Sequence, residues 1–265
     1  MVSILVTADH ALAAAYSRNG GCVMGVVETE DPSQAIFDEG DAVVMTYEAI
    51  SEPFLRMIAC HRYHLPYTIA VTRRLRIRES IPEDYEAIHS MLRSCPKDVF
   101  SDGLTADEIG DRERFVRYAA TAYAFFGYGF WTVVLKNSPA DAGREGVVGW
   151  CGLFPSSAGR GHLENASSVS GSSDHDRPEA ETSSYAIELG YLIREDVRGQ
   201  GYALEACRAI CEYACREIGA KGLLLQVPSG NKASRALAET LGFRRMPGNG
   251  KVLRFELNLA DKTIV

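Results

Sequence analysis

The strongest constraint on this 265-residue chain is a junction past its middle, where a strand pattern runs through a two-glycine turn into a long helix. Tyr185 to Ile193 read as a strand and Arg194 to Val197 as a turn. A helix then continues to about Ile218, with Leu204, Cys207, Cys211, Ala214 and Ile218 on its inward side. Between strand and helix lies Arg198-Gly199-Gln200-Gly201-Tyr202-Ala203. Glycine reaches φ > 0 without strain and lets a ligand come close to the backbone. The free N–H groups of the first helical turn point at that ligand, and the helix dipole favours an anion. With Arg198 at the mouth, the junction predicts a pyrophosphate cradle.

The flanking elements narrow the reading. Downstream, Gly222 to Val227 read as a strand, and Pro228-Ser229-Gly230-Asn231-Lys232-Ala233-Ser234 turns into a helix that ends at Leu241-Gly242-Phe243. A last strand follows near Val252 to Leu259. Upstream, Leu75-Arg76-Ile77-Arg78 alternates as a half-buried strand should. Pro82-Glu83-Asp84 opens an amphipathic helix through Tyr85, Ile88, Met91 and Leu92, and Asp107 to Ala124 reads as a second helix. Phe130 to Lys136 and Gly146 to Leu153 read as two antiparallel strands.

In this order the motifs resemble the GNAT superfamily of N-acetyltransferases. The signature residues are Arg198, Gly201 and Ala203, then Asn231 and Ser234, then Leu241 to Phe243. Leu75–Arg78 and Glu188-Leu189-Gly190-Tyr191 look like the branch that acts on ribosomal-protein N-termini. The resemblance covers roughly Arg73 to Leu259 and implies a mixed-sheet α/β fold with acetyl-CoA as co-substrate. It places acetyl-CoA in a V where the Glu188–Ile193 strand splays from the Leu223–Val227 strand. Backbone groups of Tyr191, Leu192 and Ile193 would pair with the pantetheine, one N–H polarising the thioester carbonyl. Arg198, Gly199, Gln200, Gly201, Tyr202 and Ala203 would hold the pyrophosphate, and Asn231 the pantetheine side.

The implied reaction moves acetyl to a primary amine, a peptide N-terminus or a small molecule. Direct attack in a ternary complex is favoured because no nucleophile–base pair stands out. The amine must be neutral to attack, and Glu188 is the candidate base, acting through water. Its central strand should bury it in part and raise its pKa; a structural ion pair with a neighbouring arginine is the alternative. The tyrosine that many of these enzymes carry four residues before the glycine of Leu-Gly-Phe is Ala238 here. The acid role then falls to Ser234, whose other reading is a helix-start hydrogen bond. Tyr123, Phe125, Phe126, Tyr128, Phe130 and Trp131 form an aromatic run that is either an acceptor wall or, more commonly, core. The rival to an enzyme is a non-catalytic acetyl-CoA-binding sensor or regulatory protein.

Residues 1–72 read as a separate, small Rossmann-like parallel α/β module. Strands at Val2–Val6, Cys22–Val27, Ala42–Thr46 and Tyr67–Val71 alternate with helices at Ala11–Arg18, from Asp31-Pro32, and at Glu52–Tyr63. The turn Thr7-Ala8-Asp9-His10-Ala11 has no glycine, and Asp9 would repel a phosphate. A docking or assembly role therefore ranks ahead of nucleotide binding, and a homodimer is left open. Residues 73–265 form the acyltransferase domain, interrupted at 155–184 by a serine-, glycine- and charge-rich insertion that is a solvated loop or a lid.

Net charge −7 argues against a chain built to hold nucleic acid. No leader pattern and no apolar run near the ~20 residues of a membrane span is present, so the expected setting is the cytoplasm. Seven cysteines, an odd number without a C-x-x-C pair, suit free thiols. Cys207, Cys211 and Cys215 recur every four residues, but small buried hydrophobes explain them without a metal.

Overall fold

The computed structural model describes residues 3–27, 40–94, 112–137, 146–156, 187–248 and 250–260, and the chain divides into two compact units, Met1–Tyr67 and Thr68–Val265. In the first unit, β1 (Ile4–Thr7), β2 (Cys22–Val26) and β3 (Ala42–Val44) pair in parallel in that order. Two helices accompany them, α1 (His10–Arg18) and α2 (Glu52–Arg62). A central parallel strand is covered on both faces, which is why β2 is an unbroken apolar run. Cys22, Met24 and Val26 pack with Ile58 and Ala59 of α2, whereas Val23 packs with Ala13 of α1. The Asp9 carboxylate accepts the Leu12 N–H at 3.0 Å and so caps α1. A fixed negative charge thus occupies the place where a nucleotide-binding module would seat a phosphate. The helix expected from Asp31-Pro32 lies outside the described residues.

The second unit is built on β4 (Thr68–Val71), β5 (Leu75–Arg78), β6 (Phe130–Leu135), β7 (Val147–Pro155), β8 (Ile187–Ile193), β9 (Gly222–Pro228), β10 (Arg244–Arg245) and β11 (Val252–Asn258). They form one sheet in the order β10-β11-β9-β8-β7-β6-β5-β4, antiparallel at every join except β8 with β9. Helices α3 (Tyr85–Arg93) and α4 (Arg112–Phe126) bring Ile88, Met91, Leu92 and Phe115 against Phe130 and Trp150. Helices α5 (Tyr202–Arg216) and α6 (Lys232–Leu241) belong to the larger core cluster. There Ala206, Cys207, Ile210, Cys211 and Ala214 of α5 join Leu75, Ile77 and Val133 of the sheet. Burying each large side chain in these clusters contributes roughly 1.5–3 kcal/mol.

One strand changes sides relative to the sequence reading. Thr68–Val71, assigned above to the N-terminal module, pairs antiparallel with β5 through Thr68–Arg78, Ala70–Ile77 and Val71–Arg76. The division between units accordingly falls between Tyr67 and Thr68 rather than after residue 72. A short apolar run fits a parallel or an antiparallel sheet equally well, and the three-residue link to β5, closed by the Thr72 N–H donating to the Leu75 carbonyl at 2.8 Å, decides it. Most of the 155–184 insertion, with Tyr185 and Ala186, lies outside the described residues.

Beneath the sheet's β5–β7 region sits a buried polar network. The Arg78 guanidinium donates to both Asp84 oxygens, at 2.7 and 2.9 Å, and Thr132 Oγ1 and the Ile81 N–H donate to Asp84 as well. Tyr123, Phe130 and Trp131 are almost fully buried, which assigns these members of the aromatic run to core; the Phe125 and Phe126 side chains lie outside the described set. No helix among the described residues is long and apolar enough to cross a membrane.

Candidate active site

The site begins with how β8 is paired. Along its whole length β8 is zipped to β7, from Gly149–Ile193 to Pro155–Ile187. The fit is close: a Cβ at Gly149 would stand 2.6 Å from Ile193 Cδ1 and 2.7 Å from the Leu192 carbonyl oxygen. On its other side β8 is in register with β9 at one pair, Glu188 with Leu224. Strand β9 is instead committed to β11 through all seven of its residues. The two strands therefore part beyond Glu188, as the V predicted from the resemblance requires.

A cleft of about 570 Å³ fills that V. It is lined by Tyr191, Leu192 and Ile193 from β8, by Arg198, Gly199, Gly201, Tyr202 and Ala203 from the turn and α5, and by Asn231 and Ser234 at the start of α6. Gly199 and Gly201 adopt φ of +76° and +82°, a left-handed conformation that strains any other L-residue. Gly201 is the N-cap of α5 and brings no side chain to the first-turn N–H groups. A side chain at Gly199 would meet nothing within 4 Å, so the cradle is open there. Arg198 braces the turn against the end of β8, its Nε donating to the Ile193 carbonyl at 3.0 Å. The shape and the donors suit an elongated anion-bearing ligand.

Nine of the ten residues expected to hold the cofactor line this cleft, and Gln200 does not. Its carbonyl accepts a hydrogen bond from Arg74 Nη1 at 2.8 Å instead. Arg74 escaped the sequence reading altogether. Its Nε donates to Glu205 Oε2 at 2.7 Å, its guanidinium carbon lies 4.5 Å from the Tyr202 ring centroid, and a Cβ on Gly201 would come within 3.3 Å of its Nη2. Arg74 thus clamps the glycine turn from behind. Burial works to raise the pKa of the Glu205 carboxyl, but hydrogen bonds from Thr72 and Arg74 outweigh it and hold that pKa below the usual range. Nothing in local periodicity marks Arg74, because Gln200 and Glu205 lie 126 and 131 residues away.

A second cavity of about 40 Å³ adjoins the first and shares Tyr191, Asn231 and Ser234 with it. Its lining also includes Glu188, Phe154, Gly190 and Gln226. The two catalytic candidates, Glu188 and Ser234, therefore border one space. Glu188 is buried, and Gln226 Nε2 donates to its Oε2 at 2.9 Å. Asn231 Oδ1 accepts the Ser234 N–H at 3.0 Å and caps α6. The helix-start bond thus uses the Ser234 backbone and not its hydroxyl. Ala238 is fully buried. Cys207 and Cys211 belong to the packed face of α5, where burial raises the Cys207 pKa well above the ordinary thiol range. Among the described residues no group of three His, Cys, Asp or Glu could hold a metal ion.

A model of the acetyltransferase (GNAT) domain matches residues 74–244. YdaF of Bacillus subtilis (strain 168), whose given name proposes a ribosomal N-acetyltransferase, is 36% identical over 56 residues, 21% of this chain and 31% of its own length. YkkB of the same organism, an uncharacterized protein, is 26% identical over 176 residues, 66% of this chain and 84% of its own. The crystal structure of an acetyltransferase from Agrobacterium tumefaciens str. C58 superposes with a TM-score of 0.51 at 19% identity, covering 71% of this chain and 93% of that one. That last likeness is one of fold.

Proposed function

Because the chain belongs to the GNAT acetyltransferase family, we propose that it moves the acetyl group of acetyl-CoA onto a primary amine by direct attack in a ternary complex. The observation that carries this reading is the junction of the two cavities: an anion cradle at one end of the V, and a buried carboxylate at the closed end. Bound acetyl-CoA supplies an activated acetyl thioester. The first turn of α5 and Arg198 would neutralise its pyrophosphate, and the backbone of Tyr191 to Ile193 would orient its pantetheine as an added strand. Asn231 lines both cavities and would stand at the boundary between cofactor and acceptor.

Glu188 would take a proton from the incoming amine, directly or through one water. Gln226 fixes the orientation of its carboxylate. A space of about 40 Å³ admits an amino group and little of its stem, which favours a primary amine at the end of its molecule. A peptide N-terminus or a small amine meets that condition, and the name given to YdaF favours the former.

Calorimetric titration with acetyl-CoA, parent against Gly201→Glu, followed by an amine panel with Glu188→Gln, tests the reading. The parent should bind, the Gly201→Glu protein should not, and Glu188→Gln should bind with turnover reduced about 10²-fold or more. A folded parent that binds no acetyl-CoA would refute the cofactor assignment. Binding without turnover on any amine would leave the sensor in its place.

A further inference from the structure

We propose that the Tyr191 side chain takes part in the reaction, its hydroxyl donating a hydrogen bond to the departing sulfur where Ala238 supplies no tyrosine. The proposal rests on the reading of the cleft as the acetyl-CoA site.

Three observations carry it. Tyr191, with Asn231 and Ser234, lines both cavities and so stands where the thioester end of the ligand and the acceptor must meet. Among the described residues its hydroxyl is one of three buried side-chain polar atoms without a hydrogen-bond partner, the others being Arg235 Nε and Glu256 Oε1. Neither of those residues lines either cavity. Buried polar groups are nearly always paired, so an unpaired donor on a residue that lines both cavities is explained when a ligand atom completes it. Lastly, the ring is packed against the core cluster that includes α5, and is held in place.

The Ser234 hydroxyl lies near enough to bear on the phenol's ionisation, although the two make no bond of good geometry. Burial raises the phenol pKa well above its ordinary value, with the nearby Cys207 thiol adding to the effect. The hydroxyl is therefore a neutral donor throughout the neutral range, and its part is hydrogen-bond donation, not proton loss. As the C–N bond forms, the C–S bond pair moves to sulfur. Glu188 receives the amine proton, Tyr191 stabilises the thiolate, and the sulfur is protonated by solvent on release.

The test is Tyr191→Phe, which keeps the ring. The variant should lose kcat by roughly 10²-fold, as when one donor to a developing anion is removed, with KM for acetyl-CoA nearly unchanged. Calorimetry supplies a readout independent of turnover. The parent should bind CoA more tightly as pH rises through the thiol pKa, and the variant should lose that dependence. Both should bind desulfo-CoA equally. Since the hydroxyl makes no bond in the free protein, the unfolding midpoint should stay the same or rise. Parental kcat in the variant, or an equal loss of affinity for CoA and desulfo-CoA, overturns the proposal. A parent that binds neither ligand refutes the cofactor site itself and not merely the role of Tyr191.

Discussion

Replacing Asp84 by Asn should unfold the acyltransferase unit well before it unfolds in the parent. Arg78 and Asp84 side chains are only 5% and 2% exposed, and four donors converge on the carboxylate. Asparagine removes the charge opposite a buried guanidinium and turns one acceptor into an N–H facing other N–H groups. Breaking a buried pair from one side costs about 3–5 kcal/mol. In a unit of this size 1 kcal/mol moves the midpoint roughly 2–4 °C, so the loss should be on the order of 6–20 °C. Tryptophan fluorescence is the assay, because the two tryptophans of the chain, Trp131 and Trp150, are both buried in this unit. The joint Arg78→Met, Asp84→Leu protein should be no less stable than Asp84→Asn, since it strands no charge. A loss under about 1 kcal/mol for Asp84→Asn, or a joint variant that is far worse, would refute the claim that the stranded arginine sets the cost.

Arg74→Met should raise KM for acetyl-CoA several-fold with kcat little altered, and Arg74→Lys should not restore it. One ammonium cannot serve Glu205, the Gln200 carbonyl and the Tyr202 ring at once; steady-state kinetics would reveal a parental KM if the clamp is idle. In the first unit, burial and then the Asp41 carboxylate push the Cys22 thiol up to about 11 from 9.0. The folded state thus holds the proton more tightly than the unfolded state. The corresponding stability is intact below pH 9 and is lost as pH rises through about 11. Urea midpoints across that window should fall in the parent and flatten in Cys22→Ala; parallel curves would show that Cys22 does not set the slope.

The glycine turn into α5 was legible because its determinants are local. Two glycines at φ > 0, an N-cap without a side chain and an arginine beside them are adjacent in the chain, and each is fixed by residue type. The parting of β8 from β9 was legible only through resemblance, since no property of β8 alone says that it will pair with β9 at one residue. What escaped was long-range. Arg74 acquires its part from residues on α5 and the turn before it, and Thr68–Val71 acquires its sheet from β5. Glu188 sat in a strand that plainly had to be central, yet its bond from Gln226 depends on β9 lying alongside. Tyr191 was read for its backbone, and a hydroxyl left without a partner has no signature in sequence.

The lone Glu188–Leu224 pair divides the large sheet into two leaves, β4 to β8 and β9 to β11, stitched at one point along the strand ladder. Helix α5 touches β4, β5, β7 and β8, whereas α6 touches β9, and the two helices touch each other. The leaves are therefore bound like the covers of a book, with the helix pair as spine. Acetyl-CoA laid between them as proposed would supply the missing rung contacts and set how far the covers open. The weakest join in the sheet's hydrogen-bonded ladder lies between its third and fourth strands, and an occupant of the V would stiffen it there.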